Sequence, residues 1–206
     1  MNKKNKGVIL CILTILSIIV VFYFDVYLVK NVSFLRNIFL DNFFMVITFV
    51  SSEVIVFFVL TALFLWRENK RRWILPLWVT LMLSAIVSFI LKIMVQRERP
   101  FQQGIVSLIP SLQEASYSIW NFSFPSFQSM LAFCAIPILY EQFPKLKKIW
   151  IIFAVLVAFS RVYFGVHFVS DVLVGGIIGY LIGMIIVKLE KENNFGKNIY
   201  NKIFKK

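Results

Sequence analysis

One imidazole and a few charged side chains hold most of the chemistry available to this chain. His167 is the only histidine among 206 residues, and Asp171 follows it by four. That spacing places both on one helical face. Lys92 and Arg99 stand near the end of one apolar run, and Arg161 near the end of another. Ser126 follows Pro125 at the start of a further run, where unpaired backbone N–H groups and the helix dipole favour an anion. Taken singly, His167 reads as a hydrogen-bonding partner and Asp171 as a polar link between helices. Taken together, three cations, a helix N-terminus and a His–Asp pair fit a bound phosphate. Without an anion, three cations gathered in a poorly solvated place would repel one another.

These residues must be positioned by membrane helices. Hydrophobic residues make up 60% of the chain, above the roughly half expected of a soluble domain. They fall in six apolar runs: Gly7–Phe24, Phe43–Trp66, Trp73–Met94, Ser126–Phe143, Ile149–Phe164 and Phe168–Leu189. Each is near the ~20 residues that a bilayer requires. The expected fold is therefore all-α: a polytopic bundle of six transmembrane helices over residues 1–189, with a basic cytoplasmic tail over 190–206. The first run is too long for a signal peptide and lacks a small-residue cleavage site, so it reads as a retained helix. The formal charge of +12 does not point to nucleic acid, because the basic residues form short clusters between apolar runs. Cys11 and Cys134 lie within apolar runs and read as small buried hydrophobes.

A cytoplasmic N-terminus puts sixteen of the 22 lysines and arginines on the inner side. The positive-inside rule therefore predicts both termini in the cytoplasm of a cell membrane. On that topology Lys92, Arg99, Ser126, Arg161, His167 and Asp171 share one depth at the outer face. Trp66, Trp73, Trp120 and Trp150 sit near run ends, as interfacial anchors do. The long outer connection, Val95–Pro125, is mostly apolar and aromatic beyond Ile105 and is expected to lie in the interface. Arg97, Glu98 and Glu114 read as charges that solvate this connection.

Two ordered motifs carry a family resemblance. Lys92-IMVQRE-Arg99-Pro100 fits K-x6-RP, and Ser160-Arg161-VYFGV-His167-FVS-Asp171 fits SR-x5-H-x3-D. The chain thus resembles the type 2 phosphatidic acid phosphatase superfamily, which also includes the vanadium haloperoxidases. The resemblance implies that Lys92, Arg99 and Arg161 clamp phosphoryl oxygens while Ser126 and the backbone at Phe127 complete the cradle. It implies that His167 attacks phosphorus to form a phosphohistidine and that Asp171 accepts the imidazole N–H. It also implies catalysis without a metal or other cofactor, with membrane lipids around the protein and a lipid phosphate as its substrate. Nothing in the sequence points to a protein partner.

The second family motif, PSGH, is altered to Pro125-Ser126-Phe127-Gln128. The family uses that histidine as the acid that protonates the leaving group. Gln128 cannot ionise, and no other histidine exists. A phosphate monoester expels a strongly basic alkoxide, for which an acid is worth about 10²–10⁴-fold. A diphosphate expels a far less basic phosphate. A polyprenyl diphosphate of the undecaprenyl type is therefore the expected substrate. Glu53 is a possible substitute acid, although a straight second helix would put it some 15 Å below the outer end. A structural counter-ion role is the plainer reading of that carboxylate. The alternatives are a phosphatidic acid or phosphatidylglycerophosphate phosphatase, and a non-catalytic member that binds lipid phosphates. A transporter fits less well, because its polar groups would lie at mid-depth.

Overall fold

A computed structural model describes residues 3–108 and 122–204, apart from the side chains of residues 3–11 and 204. All regular structure among these residues is helical. The helices are α1 (Lys3–Ser33), α2 (Ile38–Val50), α3 (Glu53–Trp66), α4 (Ile74–Val95), α5 (Phe127–Gln142), α6 (Lys147–Tyr163), α7 (Val169–Asn193) and α8 (Phe195–Phe204). A 3-10 turn at Glu68–Trp73 leads into α4.

Three segments are long and apolar enough to cross a membrane: Ile12–Ser33, Glu68–Val95 and Val169–Asn193. The α2–α3 pair makes a fourth if it is taken as one span. The count of six is therefore not reached on length and composition alone, since α5 and α6 have only 16 and 17 residues. The second expected run is not one helix. It breaks at Ser51-Ser52 with a bend of 61°, although it contains neither proline nor glycine. The Ser51 hydroxyl donates to the Thr48 carbonyl, the local competition by which serine disturbs a helical ladder. The first run also continues further than expected, through Asp25 to Ser33.

The bundle is centred on α5 and α7, and glycines set their separation. Gly175, Gly179 and Gly183 recur every fourth residue and form one stripe along α7. A Cβ added to them would lie 2.7 Å from the Ser126 carbonyl oxygen, 2.2 Å from that of Met130 and 2.3 Å from that of Cys134. Only hydrogen fits there, so the two backbones touch. Close approach of this kind supplies van der Waals contact where lipid removes the hydrophobic drive. A core of Val56, Leu60, Phe64, Leu77, Leu131 and Ile138 joins α3 and α4 to α5. Cys134 is buried in the same core.

The expected anchors behave differently from one another. Trp66 is 84% exposed, whereas Trp73 is buried in this core and anchors nothing at an interface. Trp150 donates to the Ala132 carbonyl, and Trp120 lies outside the described residues. So do most of the apolar connection and Glu114. At the other end of the chain α7 passes through Glu190 to Asn193, where Asn194 turns left-handed and α8 begins. The buried Glu190 carboxylate accepts from the Gly196 and Lys197 N–H groups and caps that last helix.

The glycine stripe generates a test. Gly179→Ala would force the α5 and α7 backbones apart and cost about 1–3 kcal/mol, despite alanine's better helix propensity. Gly176→Ala would meet only the Phe133 ring, at 3.3 Å, and would cost less. Thermal unfolding of both variants in detergent should show the larger fall for Gly179→Ala.

Candidate active site

The close contact of α5 and α7 brings the second and third motifs together. The Ser126 N–H donates to the Asp171 carbonyl at 3.1 Å, and the Ser129 hydroxyl donates to the Val172 carbonyl. Ser126 caps α5 but uses no side-chain hydrogen bond to do so. Its hydroxyl oxygen is buried without a partner among the described residues.

A tight turn fixes Arg161 relative to His167. The chain leaves α6, reverses at Gly165 (φ +67°) and returns to α7. The N–H groups of Val166 and His167 both donate to the Arg161 carbonyl. A Cβ at Gly165 would strike the Val106 side chain at 2.3 Å. Glycine is therefore required both for its left-handed conformation and for space. Lys92 stands in the last turn of α4, and Gln96 closes that helix with a left-handed cap whose N–H donates to the Lys92 carbonyl. The Lys92 ammonium donates to the Phe122 carbonyl, tying this end of α4 to the chain that enters α5.

Lys92, Arg99, Phe127, Gln128, Arg161 and His167 line one cavity of about 580 Å³. Glu53 lines it too. The bend at Ser51-Ser52 removes the straight-helix premise that set this carboxylate deep below the site. An adjoining, mostly apolar cavity of about 390 Å³ shares Glu53, Ala85 and Phe127 and continues between α3 and α4 toward Trp78. Beside the Ser126 hydroxyl, the Ser88 hydroxyl, the Gln128 Oε1 and the Arg161 Nε are buried without hydrogen-bond partners among the described residues. Buried polar groups normally have partners. Of these residues Ser88, Gln128 and Arg161 line the cavity and Ser126 does not, so the wall offers a hydroxyl, an amide and positive charge around a space large enough for a phosphorylated headgroup.

His167 and Asp171 are both buried, with Nδ1 3.7 Å from Oδ2. The carboxylate lies on the Nδ1 side, so the imidazole proton belongs there and Nε2 keeps its lone pair. Burial, aided by the positive charges of Arg99 and Lys92 and opposed by Asp171, pushes the imidazole down to about 3. The ring is therefore neutral at ordinary pH, the form a nucleophile needs. Burial likewise lowers the Arg99 guanidinium to about 10, which leaves it charged.

Asp171 has partners that its sequence spacing does not reveal. Ser123 donates to Oδ2 at 2.5 Å and lies 3.5 Å from the His167 Nδ1. The Phe168 N–H also donates to Oδ2, at 2.8 Å. Arg97 donates to Oδ1 at 2.8 Å and to Asp25 of α1 at the same distance. Arg97 is thus not a solvated loop charge, since its side chain is only 20% exposed and bridges two buried carboxylates. An acidic residue within a long apolar helix was the available signal for Asp25. Ser123, in a loop, gave none.

The sequence pattern of the PAP2 superfamily matches residues 73–195, the stretch that holds all three motifs. The chain belongs to the PAP2 superfamily. Among PAP2 proteins, phosphatidylglycerophosphatase B of Bacillus subtilis (strain 168) is 38% identical over 118 residues. The match covers 52% of this chain and 53% of that protein, so the chain spans about half the length of this curated relative. A transmembrane PAP2-type phosphatidylglycerolphosphate phosphatase from B. subtilis has the same fold. Its crystal structure superposes with a TM-score of 0.69 at 24% identity, covering 88% of this chain and 96% of that one. The crystal structure of Aquifex aeolicus LpxE gives a TM-score of 0.64 at 29% identity, covering 80% and 94%.

The cavity's charge makes a measurable demand. Removing one cation that contacts a phosphate should forfeit a charge-assisted interaction of about 1.5–3 kcal/mol, or roughly 10–100-fold in affinity. Arg161→Ala should weaken binding of inorganic phosphate by that factor in a titration. Arg67→Ala, at an exposed position outside the cavity, should leave it unchanged.

Proposed function

We propose that this PAP2 protein hydrolyses a lipid phosphate through a phosphohistidine on His167. It would do so as a six-span protein of the cell membrane, with both termini in the cytoplasm and the site facing outward. One observation carries the reading: His167, with Asp171 on its Nδ1 side, shares a cavity with Lys92, Arg99 and Arg161. A phosphoryl group held by the three cations would present phosphorus to Nε2. Attack forms the N–P bond as the lipid-side oxygen leaves, and water then cleaves the phosphohistidine to release phosphate. Fixed positive charge stabilises the oxygens as negative charge develops on them, and the backbone N–H groups of Phe127 and Gln128, in the first turn of α5 at the cavity wall, would add donors. The adjoining apolar cavity suits the start of a lipid tail.

The preferred substrate is a polyprenyl diphosphate of the undecaprenyl type. Gln128 faces the cavity where the family places its acid, and amide groups do not protonate leaving groups. A departing lipid phosphate needs such help least. A second reading is favoured by the placement of Glu53. Its carboxyl borders both the cationic cavity and the apolar one, where the bond between phosphate and lipid would lie. Glu53 could there protonate an alkoxide, making the protein a monoesterase like the phosphatidylglycerophosphatase it resembles.

The purified protein, with chelator present, should release phosphate from a polyprenyl diphosphate about 10²-fold faster than from phosphatidic acid. His167→Ala should abolish both activities. Gln128→His should raise the monoester rate selectively. Equal wild-type rates would defeat the diphosphate preference, and selective loss of monoester cleavage in Glu53→Gln would establish the second reading. For the better substrate, kcat/KM corrected for substrate ionisation should show no acid limb from His167 between pH 7 and 5. The depressed imidazole takes up no proton until far lower pH.

A further inference from the structure

Arg97 and Asp25 surround the His–Asp pair without lining the cavity. One Arg97 nitrogen donates to the Asp171 Oδ1 at 2.8 Å and to the Ser170 hydroxyl at 2.7 Å. The other donates to the Asp25 Oδ2 at 2.8 Å. Asp25 in turn accepts from the Ser170 N–H at 2.9 Å and from the Ser170 hydroxyl. The guanidinium also lies 3.8 Å above the ring of Phe168 and 5.1 Å from that of Phe22.

This arrangement restricts the Asp171 carboxylate at both oxygens. Arg97 holds Oδ1, while Ser123 and the Phe168 N–H hold Oδ2. The carboxylate cannot rotate without breaking charge-assisted bonds, so Oδ2 stays turned toward His167. Such control matters because the pair is 3.7 Å apart, too far for a strong hydrogen bond to orient the ring unaided. Asp25 completes the restraint by fixing the second arm of Arg97 and the first turn of α7. A fork with two carboxylate partners is well suited to orientation. Two buried carboxylates and a largely buried guanidinium are costly to desolvate, which makes stability alone a poor reason for this triad.

We propose that Asp25 and Arg97 are positioning residues that aim Asp171, and through it His167, at the phosphoryl group. This rests on His167 being the nucleophile. It extends the machinery to α1, since Asp25 lies outside the matched residues 73–195.

The test uses the full chain in nanodiscs with whichever of a polyprenyl diphosphate and phosphatidic acid the wild type cleaves faster as substrate, and inorganic phosphate as a competing ligand. Asp25→Asn and Arg97→Ala should each lower kcat by roughly 10–100-fold, the cost of a slightly misplaced reacting group. KM and the inhibition constant of phosphate should stay within about twofold, because neither residue lines the cavity. Arg97→Lys should recover part of the rate, and added guanidinium should partly rescue Arg97→Ala. Wild-type kcat in Asp25→Asn and Arg97→Ala would overturn the proposal. So would a loss of kcat matched by an equal loss of phosphate affinity. Should Arg97→Ala fail to fold, the near-isosteric Asp25→Asn carries the test by itself. The His167→Ala arm separates the two levels. Full activity in His167→Ala sinks the nucleophile reading, whereas an inactive His167→Ala beside fully active Asp25→Asn sinks only the positioning role.

Discussion

Backbone contact between α5 and α7 is the constraint on which the site depends. Three glycines let the main chains meet, and that separation decides where Ser126 stands relative to Asp171. The hydrogen bond from the Ser126 N–H to the Asp171 carbonyl is a direct outcome. Because main-chain atoms set this distance, nearby side chains can change with little effect on it. Phe127 and Gln128 in place of the family's glycine and histidine are such changes. They change the side chains at the cavity wall while leaving the backbone frame in position.

Charge is arranged with equal economy. Lys92, Arg99 and Arg161 line a cavity with His167 and a single carboxylate, Glu53, so positive charge exceeds negative there and an entering polyanion would relieve the cations' mutual repulsion. Asp171 could have neutralised one of them, which would weaken the cradle. Instead its ion pair is with Arg97, outside the cavity wall. That carboxylate therefore stays in contact with the imidazole and Arg97 rather than with the side chains that face the cavity. Asp25 balances the other arm of Arg97.

Much of this was legible in the sequence, for physical reasons. Motif spacing along helices and one tight turn survives folding, so Lys92, Arg99, Arg161 and His167 meet in one cavity as expected. Apolar runs also marked α4, α5, α6 and α7 to within a few residues. The break at Ser51-Ser52 was hidden because serines within an apolar run do not oblige a helix to bend. Trp73 was misplaced because a tryptophan at a run's end can face lipid or core, and packing decides which. Arg97 was obscured by its setting in a loop, where water is the usual partner. Its partner Asp25 is 72 residues away in sequence, beyond any local pattern. The membrane-span count was least legible, since it depends on bilayer geometry as well as on hydropathy.

The bend between α2 and α3 also bears on the lipid around the protein. With 13 residues, α2 is only roughly 20 Å long, short of a hydrocarbon core of about 30 Å. Phe39 and Phe49 on it are 77% and 69% exposed, so its flank still seeks acyl chains. Taken with α3 as one span, α2 would cross along a path kinked by 61° rather than as a straight rod. Glu53, in the first turn of α3, then stands at the kink, where the two cavities adjoin. Irregular backbone at membrane depth is tolerated where it faces protein or a cavity rather than lipid, and the wall around Glu53 gives the kink such a setting.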